Sequence, residues 1–324
     1  MKKHVAFIIV GWNNEKLLPE CINSVLAQTY SDIKIYYVDN GSVDNSVKLV
    51  KTRYPSVVCL KTGKNNGFAK GNNIGIREAL KDKNVEYIAL LNTDATIEKL
   101  WAQKLVTFAD GKKRVAAMQG ITLDYYNHNI IDSTHIFLSR SGQATQGSYR
   151  DDLINIPSSF TTMGVNAAAA MYTREFIDAQ PFESLFDETM FMYLEDVDVA
   201  LRSIVMGYKN YCVKDTYAYH MGSASSKSNK TYPAYMTFRN NSGLLVKNLP
   251  IGTLAKLLFR VISSDRARVK HLRQLGRKEE AKAVVKGRLF GLLLLPIFFI
   301  KRLRLNKSRN IDKNYLWHLM KKGY

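Results

Sequence analysis

Short apolar runs alternating with amphipathic helical segments predict an α/β fold: a mixed, mostly parallel sheet flanked by helices. Two observations support that class. Polar small-residue clusters recur just after four successive strand-like runs, and a basic, partly apolar stretch follows as a helical appendage.

The elements follow in order. Residues 5–10 form an apolar run that reads as a buried first strand, ending at Gly11-Trp12-Asn13-Asn14. The run is too brief for a secretory leader of the usual kind, despite Lys2 and Lys3 before it. Residues 15–28 place Leu17, Leu18, Cys21, Ile22 and Val25 on one helical face. A second strand over 33–38 ends at Asp39-Asn40-Gly41-Ser42, and a helix over 45–53 follows. A third strand over 57–60 precedes Asn65-Asn66-Gly67 and a helix over 69–80, and a fourth over 87–91 ends at Asn92-Thr93-Asp94. Open parallel sheets bind ligands beyond the carboxyl ends of their strands, where all four clusters fall. Singly each cluster is an ordinary turn; together they predict a site. Residues 120–185, rich in Ser, Thr, Asn and Gln, are expected to form loops and short strands around an acceptor pocket.

Charge divides the chain. Its net +19 resides mostly after residue 246, where 20 basic residues face 4 acidic ones. We therefore expect a catalytic domain over 1–246 and a basic helical tail over 247–324. Residues 289–300 (LFGLLLLPIFFI) are apolar and flanked by Lys286, Arg288, Lys301, Arg302 and Arg304. That is short of the ~20 residues that span a bilayer, and Pro296 interrupts it. A helix or hairpin in the interface of an anionic membrane is expected, against the alternative of a helix packed on the main domain. Nucleic acid is not expected as a partner, because stacking aromatics are not interleaved with the cations. Three scattered cysteines, Cys21, Cys59 and Cys212, suit a reducing compartment, so the protein is expected in the cytoplasm, peripheral on the membrane's cytoplasmic face.

Chemistry is carried by carboxylates. Asp39, fixed at a strand end, suits the N3–H of a uracil or thymine ring. Asp94 is a hard oxygen ligand for Mg²⁺ or Mn²⁺, and His220 is a further ligand or a phosphate contact. Glu195 and Asp196 start a helix whose apolar positions are Val197, Leu201, Ile204 and Val205, and the positive end of that helix favours acids there. Asp196 is the candidate base, with Glu195 and Asp198 as support. One base without a nucleophile predicts a single displacement that inverts the sugar carbon. The bland alternative, acids as helix caps, loses weight beside the strand-end clusters. A dinucleotide oxidoreductase would need GxGxxG after the first strand, and a P-loop enzyme GxxxxGK[ST]; neither is present there.

The pieces Ile9-Val10-Gly11-Trp12-Asn13, Tyr37–Asp44, Asn65–Gly75, Leu91–Asp94, Phe186–Glu188, Tyr193–Asp198, His220–Ser223 and Arg239-Asn240 occur in the order seen in the family-2 glycosyltransferases of the GT-A fold, which the chain resembles over residues 4–245. The rhamnosyltransferase-like branch is the nearest likeness. The resemblance implies donor contacts from Gly11, Asn13, Asp39, Asn66, Gly67, Lys70, Asn92 and Thr93. It also implies a divalent cation on Asp94 with His220, and Asp196 as base. The implied donor is a dTDP- or UDP-linked sugar, rhamnose favoured, and the acceptor a glycan or lipid-linked glycan. A UDP-hexose or galactofuranose transferase, or a nucleotide-sugar-binding scaffold without catalysis, is the alternative. The metal motif departs from the family pattern in having a single carboxylate, Asn92-Thr93-Asp94. The Gln-x-x-Arg-Trp signature of processive polymerases is absent, implying transfer of one or a few sugars.

Overall fold

The computed structural model describes residues 3–153, 158–222, 230–312 and 314–320. Lys2 and the Ser223 of the His220–Ser223 motif lie outside the described residues. The first half-sheet is built from β1 (His4–Gly11), α1 (Leu18–Leu26), β2 (Ile33–Asp39), α2 (Ser46–Arg53), β3 (Val58–Lys61), α3 (Gly67–Ala79) and β4 (Val85–Leu91). β1 pairs in parallel with β2 and β4, and β2 with β3, so that Gly11 lies opposite Asp39. Alternate residues serve opposite faces. Ala6, Ile8, Val38 and Ile88 pack toward α3, whereas Val5, Phe7, Ile9 and Tyr37 pack with α1 and Trp101.

Two helix starts differ from expectation by more than one residue. α1 begins at Leu18 because Glu15 is engaged with the next strand end: its N–H donates to Asp44 Oδ2 and its carboxylate accepts from the Asn45 N–H. α3 begins earlier, at Gly67, where φ is +76° and a Cβ would lie 2.4 Å from the Phe191 carbonyl oxygen. Only glycine fits both conditions.

The second half comprises β5 (Ala95–Ile97), α4 (Trp101–Ala109), β6 (Val115–Asp124), β7 (Ile131–Ser133), β8 (His135–Leu138), β9 (Ala144–Gly147), β10 (Phe160–Thr162), β11 (Ala169–Thr173), α5 (Arg174–Asp178), α6 (Glu195–Val205) and β12 (Lys209–His220). The main sheet runs β10-β12-β6-β11-β4-β1-β2-β3. β11 is antiparallel to both neighbours and β6–β12 is parallel, which gives the expected mixed, mostly parallel sheet.

The tail is α7 (Thr231–Asn248), which spans the expected division at 246/247, then α8 (Ile251–Gln274), α9 (Lys278–Leu293), α10 (Leu295–Lys307) and α11 (Tyr315–Leu319). α9 lies close on α7: a Cβ at Gly287 or Gly291 would sit 2.3 or 2.4 Å from the carbonyl oxygens of Tyr235 and Arg239. Phe298 of α10 is fully buried over Gly243. The apolar stretch is therefore divided: one face packs on α7, while Leu289, Phe290, Leu293, Phe299 and Ile300 remain exposed. No single helix among the described residues is long and apolar enough to cross a membrane. α9 and α10 reach that length and composition only as a pair bent by 58°.

Candidate active site

The donor-side loops are tied to one another by side-chain amides. Gly11 closes β1 against the Tyr37 ring, and its carbonyl accepts from the Asn40 N–H at 2.7 Å. Asn13, at φ 55°, accepts from the Val43 N–H and donates its own N–H to Ser42 Oγ. Asp39 is buried at the end of β2 and accepts from the Ser42 N–H at 3.2 Å. Asn40, overlooked in the sequence, joins the loops: its Oδ1 accepts from the Asn66 N–H, and its Nδ2 donates to Gly67 O and Asn65 Oδ1. Lys70 stands one turn into α3, its Nζ 4.0 Å from Glu188.

Asn92 and Thr93 form the turn between β4 and β5, with Thr93 buried. Asp94 and His220 meet because β5 pairs antiparallel with β12, setting Ala95 opposite His220. His220 Nε2 lies 3.5 Å from Asp94 Oδ1, and Nδ1 lies 2.9 Å from Asp132 Oδ2. Burial works against charge on His220, but the bonds to Asp132 and Asp94 outweigh it and push its pKa up to about 9. With Nδ1 committed to Asp132, Nε2 is the nitrogen turned to Asp94. A carboxylate that orients an imidazole in this way is the usual support of a metal-ligating histidine. No group of three or more His, Cys, Asp or Glu side chains capable of holding a metal occurs among the described residues. One oxygen donor, with one nitrogen donor once the cation displaces the Nε2 proton, fits a cation that takes its remaining ligands from phosphate oxygens. Asp132 sits in the polar middle segment and was not anticipated.

Asp196 is linked by backbone hydrogen bonds to Asn92, two residues before Asp94, but the cavity it lines includes neither Asp94 nor His220. The Asn92 N–H donates to Ala168 O, and the Ala167 N–H bonds the Asp196 carboxylate. Asp196 and Glu195 line a cavity of about 430 Å³ with Gln146 and Tyr149 of the middle segment and Thr237 of α7. Burial raises the pKa of Asp196 to about 6, against the opposing bonds from the Val197 and Ala167 N–H groups. Glu195 is held well above the usual carboxyl range by burial and by Asp196 beside it. Of the two, Glu195 is the carboxyl that burial and its neighbour push toward the protonated form, and Asp196 is the one that the Val197 and Ala167 N–H groups favour as an anion.

The turn leading to α6 is strained. Phe191, Tyr193 and Leu194 have φ of 62°, 68° and 68°, a region costly for bulky residues. Asn240 of α7 holds the turn by donating to the carbonyls of Met190, Met192 and Tyr193 at 2.8, 2.9 and 2.8 Å. The turn also touches the donor side, where the Ala69 N–H donates to Phe191 O at 3.0 Å. Asn240→Ala removes all three bonds, and we expect kcat to fall by roughly ten- to a hundredfold, with a smaller loss of nucleotide affinity passed on through the Phe191–Ala69 bond. Steady-state kinetics over both substrates would check the split.

Asp198, expected as support for the base, serves a different purpose. It is fully buried on the inner side of α6, bonded to Lys247 at 2.8 Å, Arg202 at 2.9 Å and Asn248 at 2.8 Å. Lys247 also pairs with Asp187 at 2.8 Å, and Asp187 with Lys301 of α10. This ion cluster anchors the tail under the base-bearing helix.

The sheet order and the four polar loops on its carboxyl edge are those of the GT-A fold. The family model described as Glycosyl transferase family 2 matches residues 6–178, and the chain belongs to that family. Among curated relatives, glycosyltransferase GlyG of Streptococcus pneumoniae serotype 4 is 27% identical over 140 residues, covering 42% of this chain and 44% of the relative. The Escherichia coli UDP-Glc:alpha-D-GlcNAc-diphosphoundecaprenol beta-1,3-glucosyltransferase WfaP is 31% identical over 91 residues, covering 28% and 35%. The chain thus spans under half the length of these relatives. Among solved structures, mannosyltransferase PcManGT from Pyrobaculum calidifontis, in complex with GDP-Man and Mn²⁺, has a TM-score of 0.54 at 14% identity, covering 95% of this chain and 86% of that one. S. aureus TarS 1-349 in complex with UDP-GlcNAc has a TM-score of 0.54 at 16% identity, covering 94% and 91%. These structures share the fold.

Proposed function

We propose that the protein is an inverting glycosyltransferase that moves a sugar from a nucleoside-diphosphate donor to a hydroxyl of a lipid-linked or growing surface glycan. The observation that carries this reading is Asp196, a carboxylate whose pKa is raised to about 6, which lines a cavity and is tied through Ala167 and Ala168 to the Asn92 strand end. Asp39 accepts the ring N3–H of a pyrimidine, and the Asn13–Ser42 and Asn40–Gly67 loops frame the nucleotide. Asp94 and His220 would hold Mg²⁺ or Mn²⁺, which when bound neutralises charge on the diphosphate leaving group. The acceptor hydroxyl gives its proton to Asp196 as its oxygen bonds the anomeric carbon. The bond from that carbon to the phosphate oxygen breaks on the opposite face, so configuration inverts. Burial and the neighbouring Asp196 both disfavour charge on Glu195, which works against a second charge beside the base.

The likeness to the rhamnosyltransferase branch favours dTDP-rhamnose. The UDP-linked sugars in the names of the WfaP relative and the TarS complex favour a UDP-hexose as the second reading. The exposed apolar residues of α8–α10 among basic ones favour a peripheral position on the cytoplasmic membrane face, beside a lipid-linked acceptor. A screen of rhamnose, galactose, glucose and N-acetylglucosamine nucleotides for nucleoside-diphosphate release tests the activity. We expect acceptor-dependent release that chelation suppresses. Binding of nucleotide with no release from any donor would favour the scaffold instead. Asp132→Asn should raise the Mn²⁺ concentration for half-maximal rate by roughly 10- to 100-fold, because His220 then loses the partner that aims Nε2. A Mn²⁺ titration of the variant reads this directly.

A further inference from the structure

Helices α8 and α9 form an antiparallel hairpin with a groove of about 680 Å³ between them. Its register is fixed by a two-bond ion pair, Arg288 Nε to Asp265 Oδ2 at 2.7 Å and Arg288 Nη2 to Asp265 Oδ1 at 3.0 Å. That pair neutralises itself, so the charge available to a ligand comes from Arg266, Lys270 and Arg273, all exposed along one face of α8. Their spacing of four and three residues puts them in a row. Val269 and Val284 lie between the two helices, and Val285 and Leu289 face the groove from α9 while remaining largely open to solvent.

Both helices change character in the same direction along the groove. On α8 the row passes from Arg273 and Lys270, near the hairpin turn, through Arg266 to exposed Ile262 and Phe259. On α9, running the other way, it passes from Lys282 near the turn to Val285, Leu289 and Leu293. The cationic end of one helix thus meets the polar end of the other, and the apolar ends coincide. From Lys270 to Phe259 the row follows roughly 16 Å of helix, its apolar end continuing the groove beyond the lining at Asp265. A surface that is cationic at one end and apolar along its length complements a molecule with an anionic head and a hydrocarbon chain.

We propose that this groove is a specific binding site for one anionic membrane phospholipid. The headgroup phosphate is held by Arg266, Lys270 and Arg273, and an acyl chain lies along Val285, Leu289 and Ile262. The site deepens the membrane-attachment reading above and rests on it for its physiological role. It replaces diffuse attraction to a charged surface with a defined lipid partner.

The test uses the full chain with dihexanoyl phosphatidylglycerol below its micelle concentration, followed by calorimetry. Dihexanoyl phosphatidylcholine and inorganic phosphate are the comparison arms. Saturable binding of one phosphatidylglycerol per chain is expected, with the other two probes far weaker. The variant Arg266→Gln/Lys270→Gln/Arg273→Gln should weaken it by roughly a hundredfold, each surface cation contributing on the order of fivefold. Leu289→Gln should weaken it as well. Lys286→Gln/Arg304→Gln/Lys307→Gln removes the same charge outside the groove and should leave short-chain lipid binding unchanged. Equal loss in the two triple variants, or no saturable binding in the parent protein, overturns the site. Vesicles of phosphatidylcholine with and without phosphatidylglycerol separate the two readings. A parent protein that binds anionic vesicles but not the short-chain lipid keeps membrane attachment and loses the site. One that binds the short-chain lipid through the groove but ignores vesicles keeps the site and loses attachment.

Discussion

Asp196→Asn is expected to lower kcat by roughly a hundredfold to ten-thousandfold while leaving nucleotide affinity intact, because a positioned general base contributes on that scale. The amide is nearly isosteric with the carboxylate and sits at the same helix start, so the cavity keeps its shape. Only the capacity to accept a proton is removed. The pH dependence has a definite sign. With a pKa of about 6, Asp196 is a competent base above that value, and kcat/KM for the parent enzyme should fall as pH drops through 6. The variant should lose that acidic limb along with its rate. Full activity in the variant would move the base elsewhere, and a lost limb with unchanged nucleotide binding would fix it at this residue.

Lys247→Met is expected to destabilise the fold by about 3 kcal/mol, the lower range for breaking a buried ion pair by removing one partner. Two buried carboxylates, Asp187 and Asp198, share this ammonium. The substitution leaves Asp198 with Arg202 and Asp187 with Lys301, which is why the loss stays at the lower end. Thermal melts should show a fall of about 4 °C. Lys247→Met/Asp198→Asn should recover part of it, since a neutral amide no longer demands a cation, and the double-mutant cycle measures that coupling. Burial alone would raise the pKa values of Asp187 and Asp198, but Lys247, with Lys301 for one and Arg202 for the other, more than offsets it and holds both below the usual range. The unfolded chain then binds protons more readily than the native one. The stabilisation is complete above the ordinary carboxylate range and drains away as pH falls below it. Lys247→Met should therefore flatten the acid side of a stability-against-pH curve.

The parallel half-sheet and its ligand edge were legible because they rest on local patterns. Apolar runs such as 5–10 and 33–38 end in Gly, Asn and Asp clusters, and the period of two places neighbouring side chains on opposite faces whatever the remainder of the chain does. Asp39, Asp94 and Asp196 could be singled out on the same ground, as acids at element ends. Asp198 shows the limit of that logic. Two residues from Asp196 and alike in sequence context, it faces the interior, because its partners Lys247 and Asn248 arrive from a helix about fifty residues away. Asp132 was illegible for a similar reason, and Asn240 stood out only through the Arg239-Asn240 resemblance, with no role attached. One lies in a segment without periodicity, the other inside an ordinary helix, and each acquires a role only when a distant strand or turn is brought to it. The tail's apolar run divides between packing and exposure by helical face, which composition alone does not reveal.

The Phe191 carbonyl has a kinetic meaning. Held by the Ala69 N–H, it ties the turn that leads into α6 to the first turn of α3. If the proposed function holds, whatever steadies residues 67–70 also steadies the turn into α6, and product-inhibition kinetics are expected to show the nucleotide binding before the acceptor.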